Sequence, residues 1–305
     1  MKYAVSKSFG IFAKFRPPFC RALFPVASLA LRVMRPRLRG VSVIKYKTDF
    51  GGVKFPVYVI SPKGTEGKTL PSLVYFHGGG FVYRAAPYHW RNAALYAQKA
   101  GCRVIMPDYP LVYNNKFSVV LNTCRAAYKW VCENSESLKI ERGKIALGGD
   151  SAGGCIAADV ALCAEEGERP CFLFLCYPVL DRRQNTDTMR EFTDTPMWNS
   201  VSNNKMWSLC LSGGDYVSPA ERADLSCLPC AYVETAEFDC LKDEGEEFAA
   251  RLGQAGKRVE LNKTAGTMHG FDIVRKSAGT KAALNKRIAA LRSAQLKTGA
   301  HTAEF

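Results

Sequence analysis

Gly148-Gly149-Asp150-Ser151-Ala152-Gly153-Gly154 lies between the apolar run Ile145-Ala146-Leu147 and the segment Cys155-Ile156-Ala157-Ala158-Asp159-Val160-Ala161-Leu162. The order reads as strand, tight turn, helix, with Gly149-x-Ser151-x-Gly153 at the turn. A serine there sits on a sharp, crowded bend with its hydroxyl pushed into the open. Glycine is needed on both flanks, because a Cβ would strike the neighbouring strand or helix. A helix that starts just after Ser151 aims free N–H groups and its positive dipole end at any anion formed there.

Outward from this turn the chain alternates. Ser72–Phe76, Arg103–Pro107, Lys144–Gly148, Phe172–Tyr177, Cys230–Thr235 and Val259–Asn262 read as strands, several of them continuously apolar as in a buried parallel sheet. Trp90–Lys99, Phe117–Cys132, Ala152–Glu165, Glu244–Ala255 and a last segment from about Thr280 to Leu296 read as helices. Val41–Lys47 and Val53–Ile60 form a hairpin at the front. The alternation predicts an α/β fold, a mostly parallel sheet with helices on both faces, over residues 41–300. Residues 182–226 break the rhythm and read as two short helices inserted as a small cap. Residues 1–40 form a separate helical segment: an amphipathic stretch over 1–16 with Val5, Phe9 and Phe12 on one face, the Pro17-Pro18 break, then a second helix from Pro25 to before Pro36.

The net charge of +14 is concentrated at the front. Residues 1–48 carry 11 Lys and Arg and no acid, while the rest holds 31 basic and 28 acidic residues. The body therefore has no basic face, and nucleic acid is not an expected partner. The twelve cysteines sit mostly inside apolar patterns, and Cys227-x-x-Cys230 stands alone, so neither a metal nor any other cofactor is expected. This cysteine usage suits a reducing cytoplasm. No clear signal-peptide cleavage site follows Leu23–Leu31, and no apolar run reaches the ~20 residues of a membrane span.

A serine hydroxyl needs a base beside it, and the base needs a carboxylate to orient it. Of the four histidines, His301 lies in the polar tail and His89 at a helix start, while His77 opens His77-Gly78-Gly79-Gly80. His269, in Gly266-Thr267-Met268-His269-Gly270-Phe271, follows the last strand, where a parallel sheet presents catalytic side chains. It is the expected base. The acid should come from Glu234-Thr235-Ala236-Glu237-Phe238-Asp239-Cys240-Leu241-Lys242-Asp243-Glu244. Asp239 is the choice and Glu237 the reserve, since Asp243 and Glu244 fall in the first turn of the next helix. Gly78 and Gly79 N–H, with Ala152 N–H, are expected to hold an oxyanion, and His77 to brace that loop.

These residues resemble the hormone-sensitive-lipase-like branch of the α/β-hydrolases, the bacterial carboxylesterases. The resemblance spans roughly 40–295 and rests on His77-Gly78-Gly79-Gly80-Phe81, Gly149-Asp150-Ser151-Ala152-Gly153-Gly154, Tyr177-Pro178 with Asp181, Asp239 with Leu241 and Asp243-Glu244, and His269-Gly270-Phe271. It implies an α/β-hydrolase fold, Ser151 as nucleophile, Asp239 as acid, His269 as base, and a cap made partly by the N-terminus. Departures fall at Pro110 and Val112-Tyr113-Asn114, at Cys240 and near Tyr83-Arg84, in the loops that shape the pocket. The leading expectation is a serine esterase for short- to medium-chain acyl esters of small molecules, through an acyl-enzyme. An amidase or peptidase on the same triad stays open, as does a non-catalytic ligand receptor, which His269 argues against. A homodimer is also left open. For residues 1–40 two roles compete: folding over the catalytic mouth with 182–226, which is favoured, or lying on an anionic membrane surface.

Overall fold

The computed structural model describes residues 2–297, so the expected boundary at 300 and His301 lie outside the described residues. In chain order the helices are α1 (Phe24–Val33), α2 (Pro87–Tyr96), α3 (Phe117–Glu133), α4 (Ala152–Cys163), α5 (Asp187–Glu191), α6 (Ser200–Leu211), α7 (Lys242–Gln254) and α8 (Ala278–Lys297). The strands are β1 (Val41–Phe50), β2 (Val53–Pro62), β3 (Leu70–Phe76), β4 (Arg103–Pro107), β5 (Ile140–Asp150), β6 (Phe172–Cys176), β7 (Ala231–Phe238) and β8 (Val259–Met268). They form one sheet in the order β1-β2-β4-β3-β5-β6-β7-β8. β1 and β2 are antiparallel, as are β2 and β4; from β4 to β8 every pairing is parallel. This is an α/β-hydrolase fold. β4 and β6 are buried along their whole length; β6 reads as an unbroken apolar run for that reason, while β4 opens on Arg103, whose guanidinium is hydrogen-bonded to Ser61 Oγ and Lys68 O.

Two expectations are corrected. The amphipathic stretch over 1–16 is not an α-helix: a short 3₁₀ segment, Lys7–Ala13, is broken at Gly10, whose φ of 57° and ψ of −130° interrupt helical geometry. Its apolar side still docks, with Val5 and Phe9 buried and Phe12 half-buried. The last strand is longer than Val259–Asn262. Thr264 Oγ1 donates to Thr235 O (2.7 Å) and Gly266 N to Glu237 Oε2 (2.6 Å), so a polar run that lacks strand periodicity is tied to β7 anyway.

The N-terminal segment and residues 182–226 meet above the carboxyl ends of the strands. Met197 N donates to Phe15 O (2.7 Å), and Tyr3 OH donates to Asp194 Oδ1 (2.5 Å). Phe19 meets Trp198 edge-on at 5.8 Å, and Tyr3 meets Phe192 at 5.6 Å. Aromatic edges of this kind each add about 0.5–1.5 kcal/mol beyond area burial. No helix among the described residues is long and apolar enough to cross a membrane.

α8 carries a charge in its apolar stripe. Arg287 is fully buried between Ala283-Leu284 and Ala290-Leu291. Its guanidinium donates to Glu234 Oε1 (2.5 Å) and Asp272 Oδ2 (2.6 Å), also reaching Tyr96 OH (3.1 Å). Removing one partner of such a cluster leaves the others charged and dry. Arg287→Met should lower unfolding free energy by about 3–5 kcal/mol in urea titration; a loss under about 1 kcal/mol would mean that Glu234 and Asp272 are not left as uncompensated buried charges.

Candidate active site

β5 runs straight into the turn at Ser151, which adopts φ 54° and ψ −122°. Side-chain-bearing residues rarely hold that conformation, and the packing around it keeps it in place. A Cβ on Gly149 would lie 2.3 Å from the Gly153 carbonyl, and one on Gly153 would lie 1.9 Å from Phe76 O. The end of β3 and the first turn of α4 therefore touch backbone to backbone, which only glycine allows. Ser151 N donates to Cys176 O (2.9 Å), and Ser151 O accepts from Val179 N (3.0 Å), which ties the turn to the end of β6.

His269 follows β8 directly. Its Nε2 lies 2.8 Å from Ser151 Oγ, and its Nδ1 lies 2.7 Å from Asp239 Oδ2. An ionised carboxylate only accepts, so Nδ1 carries the proton and Nε2 is left as acceptor toward the serine hydroxyl. Asp239 Oδ1 accepts from Leu241 N (3.1 Å), which fixes the carboxylate plane. All three side chains are buried, and the Trp198 ring stands 6.0 Å from the imidazole, centre to centre.

The other acids of the 234–244 stretch have different partners. Glu237 accepts from Gly266 N on the exposed side, and Asp243 Oδ2 accepts from Thr188 N (2.8 Å) in α5. Glu244 accepts from Leu180 N (2.6 Å), and burial pushes its carboxyl well above the ordinary range. Glu234 is held by Arg287. Of the five, Asp239 is the one hydrogen-bonded to His269.

The glycine loop departs from expectation at one donor. Gly78 N–H donates to Asp150 Oδ1 (3.1 Å), so it is spent on the turn. The amides of Gly79, Gly80 and Ala152 have no hydrogen-bond partner among the described residues. Gly79 (φ 114°) and Gly80 (φ 58°) both sit in the left-handed region. His77 holds the loop from behind: Nδ1 donates to Gly78 O (2.8 Å), and Tyr109 stacks on its ring at 4.4 Å. Burial, reinforced by neighbouring His89, lowers the His77 imidazole to about 3, so it stays neutral as a brace.

In the sequence Asp150 stands out only as part of the turn. Its carboxylate accepts from Tyr75 OH (2.5 Å), Gly78 N and His89 Nε2 (2.9 Å). Burial opposes its charge, but His89 and Tyr75 outweigh that and hold it at about 2. His89 Nδ1 accepts from Ala86 N (2.8 Å), which fixes the tautomer that donates to Asp150. Nothing in the spacing of residues 89 and 150 signals the pair. Tyr177 is a further support that the sequence does not signal: it has φ 36°, donates to Asp272 Oδ1 (2.6 Å) and sets its ring 4.9 Å from that of His269. The arginine inside the apolar stripe of α8 was the available clue to this buried network.

Residues 73–273 match the family model described as alpha/beta hydrolase fold. Carboxylesterase NlhH of Mycobacterium tuberculosis is 32% identical over 238 residues, covering 72% of each chain. Carboxylic ester hydrolase LipN of the same organism is 30% identical over 254 residues, or 79% of this chain and 67% of LipN. Among solved structures, esterase LipW from Mycobacterium marinum superposes with a TM-score of 0.88 at 26% identity, covering 95% of this chain and 96% of LipW. A bacterial heroin esterase gives 0.86 at 29% identity, covering 96% and 98%. On this family match and these relatives, the chain belongs to the α/β-hydrolase family, in its hormone-sensitive-lipase-like branch.

Proposed function

We propose that this chain is a serine carboxylesterase acting on short- to medium-chain acyl esters of small molecules. The observation that carries the reading is the line Asp239–His269–Ser151, hydrogen-bonded at both steps and ending on a strained serine. The chain is a carboxylic ester hydrolase, as its named relatives are. Ser151 Oγ attacks the ester carbonyl while His269 Nε2 takes its proton, and Asp239 steadies the imidazolium through Nδ1–H. The tetrahedral oxyanion is met by the free amides of Gly79, Gly80 and Ala152 and by the N-terminus of α4; Gly80 takes the place expected for Gly78. His269 then protonates the departing alkoxide, leaving an acyl-serine. A water deprotonated by the same imidazole attacks that ester and returns the serine.

The chain-length reading rests on the roof. Trp198 stands over His269, Phe19 packs on Trp198, and a Cβ on Gly80 would already lie 3.0 Å from Trp198. Residues 182–226 and the N-terminal segment thus act as a low cap rather than the wall of a long tunnel. The 2.8 Å Ser151–His269 contact favours an enzyme over a receptor.

Ser151→Ala should lower kcat for p-nitrophenyl butyrate about 10⁴-fold or more and leave the fold intact by circular dichroism. Asp239→Asn should cost far more activity than Asp243→Asn or Glu237→Gln; if either of those were the worst of the three, the acid would be misassigned. Rates across a p-nitrophenyl series should peak at short to medium acyl chains. A rate still rising at palmitate would contradict the low cap. Deleting residues 1–40 should lower kcat/KM and promote aggregation, because it uncovers Trp198 and Phe192; undiminished kcat/KM would remove the segment from the cap.

A further inference from the structure

α1 is apolar on two sides, and only one is covered. Phe24 and Ser28 face inward: Phe24 meets Phe19 at 4.8 Å and Tyr83 at 5.4 Å, and Ser28 Oγ donates to Val82 O (3.0 Å). Val26, Leu29, Ala30, Val33 and Met34 fall on the opposite side at helical spacing, and all are exposed. Val26 is 68%, Leu29 63% and Val33 78% accessible, and Ile11 in the preceding segment is 76% accessible. Seven of the twelve exposed large apolar side chains among the described residues lie within residues 11–34. A helix that is apolar nearly all round is normally buried, so this clustering asks for an occupant.

Charge chooses the occupant. Lys14, Arg21, Arg32, Arg37 and Arg39, within α1 and the residues flanking it in sequence, are exposed and make no ion pair among the described residues. The chain has no acid before Asp49 to neutralise them. A second copy docked face to face would press these like charges together in a drying interface, at a cost. A nucleic acid would satisfy the arginines but leave valine and leucine in water. An anionic bilayer suits both features, with apolar side chains reaching the acyl boundary and arginines among the headgroups.

We propose that the outer face of α1 docks this protein on an anionic lipid surface. The roles weighed for residues 1–40 then fall to different parts. Tyr3, Val5, Phe9 and the inner side of α1 pack on the body, while the outer side of α1 faces lipid. Docking holds the N-terminal half of the roof, through Phe15 and Phe19, at the membrane surface, where apolar esters partition. The surface is separate from the triad, so binding and hydrolysis are measured independently.

The test is flotation of the full chain with phosphatidylcholine vesicles, with and without phosphatidylglycerol. The wild type should float with the mixed vesicles, bind pure phosphatidylcholine about tenfold or more weakly, and be released by salt. Val26→Glu/Val33→Glu should cut binding to mixed vesicles about tenfold or more and leave hydrolysis of a soluble ester in vesicle-free buffer unchanged. Arg32→Gln/Arg37→Gln/Arg39→Gln should lose the preference for the anionic lipid, and it keeps the test decisive should the glutamates disturb α1. Three results would overturn the proposal. These are no flotation of the wild type, equal binding to both vesicle types, or a dimer in sedimentation that Val26→Glu/Val33→Glu splits.

Discussion

The close approach of β3 to the turn at Ser151 is the constraint on which the site depends. With Phe76 O, Gly149 and Gly153 in backbone contact, β5 cannot pass smoothly into α4, and the serine between them is forced to φ 54°. That conformation costs of order 1–3 kcal/mol, offset by the buried sheet on either side. It lifts Oγ out of the turn toward His269 and leaves the first amides of α4 without partners among the described residues. Positioning and electrostatics thus come from one packing event.

Around that turn, buried charges act as struts. Asp150 gathers Tyr75, Gly78 and His89 beneath the glycine loop. Arg287 joins Glu234 to Asp272, and Asp272 holds Tyr177 against the imidazole. Such clusters add little net stability over an apolar core, but they hold direction well, because each charge has few places to go. The line Asp239–His269–Ser151, with contacts of 2.7 and 2.8 Å in series, depends on that directionality more than on extra stability.

Much of this was legible in the sequence, for reasons that can be named. Parallel strands buried on both faces leave apolar runs, so β6 and the Leu73–Phe76 half of β3 are visible. Ser151, Asp239 and His269 stand out in the sequence as strand-end residues, and the structure brings them together. What escaped was long-range or local against type. Gly10 stops a helix that the apolar pattern alone supports, and β8 continues through polar residues held by β7. Among three consecutive glycines, spacing could not tell which amide Asp150 would occupy. The partners of Arg287 come from β7 and the loop after β8, 53 and 15 residues away in sequence. No window along the chain contains them all.

The central claim is that Ser151 is the nucleophile, activated through His269 and Asp239. Treating the protein with a fluorophosphonate and mapping the adduct by peptide mass spectrometry tests it most directly. The account expects a single phosphonylated residue, Ser151, with labelling lost in His269→Ala. An adduct on another side chain, or labelling at an undiminished rate without His269, would contradict it.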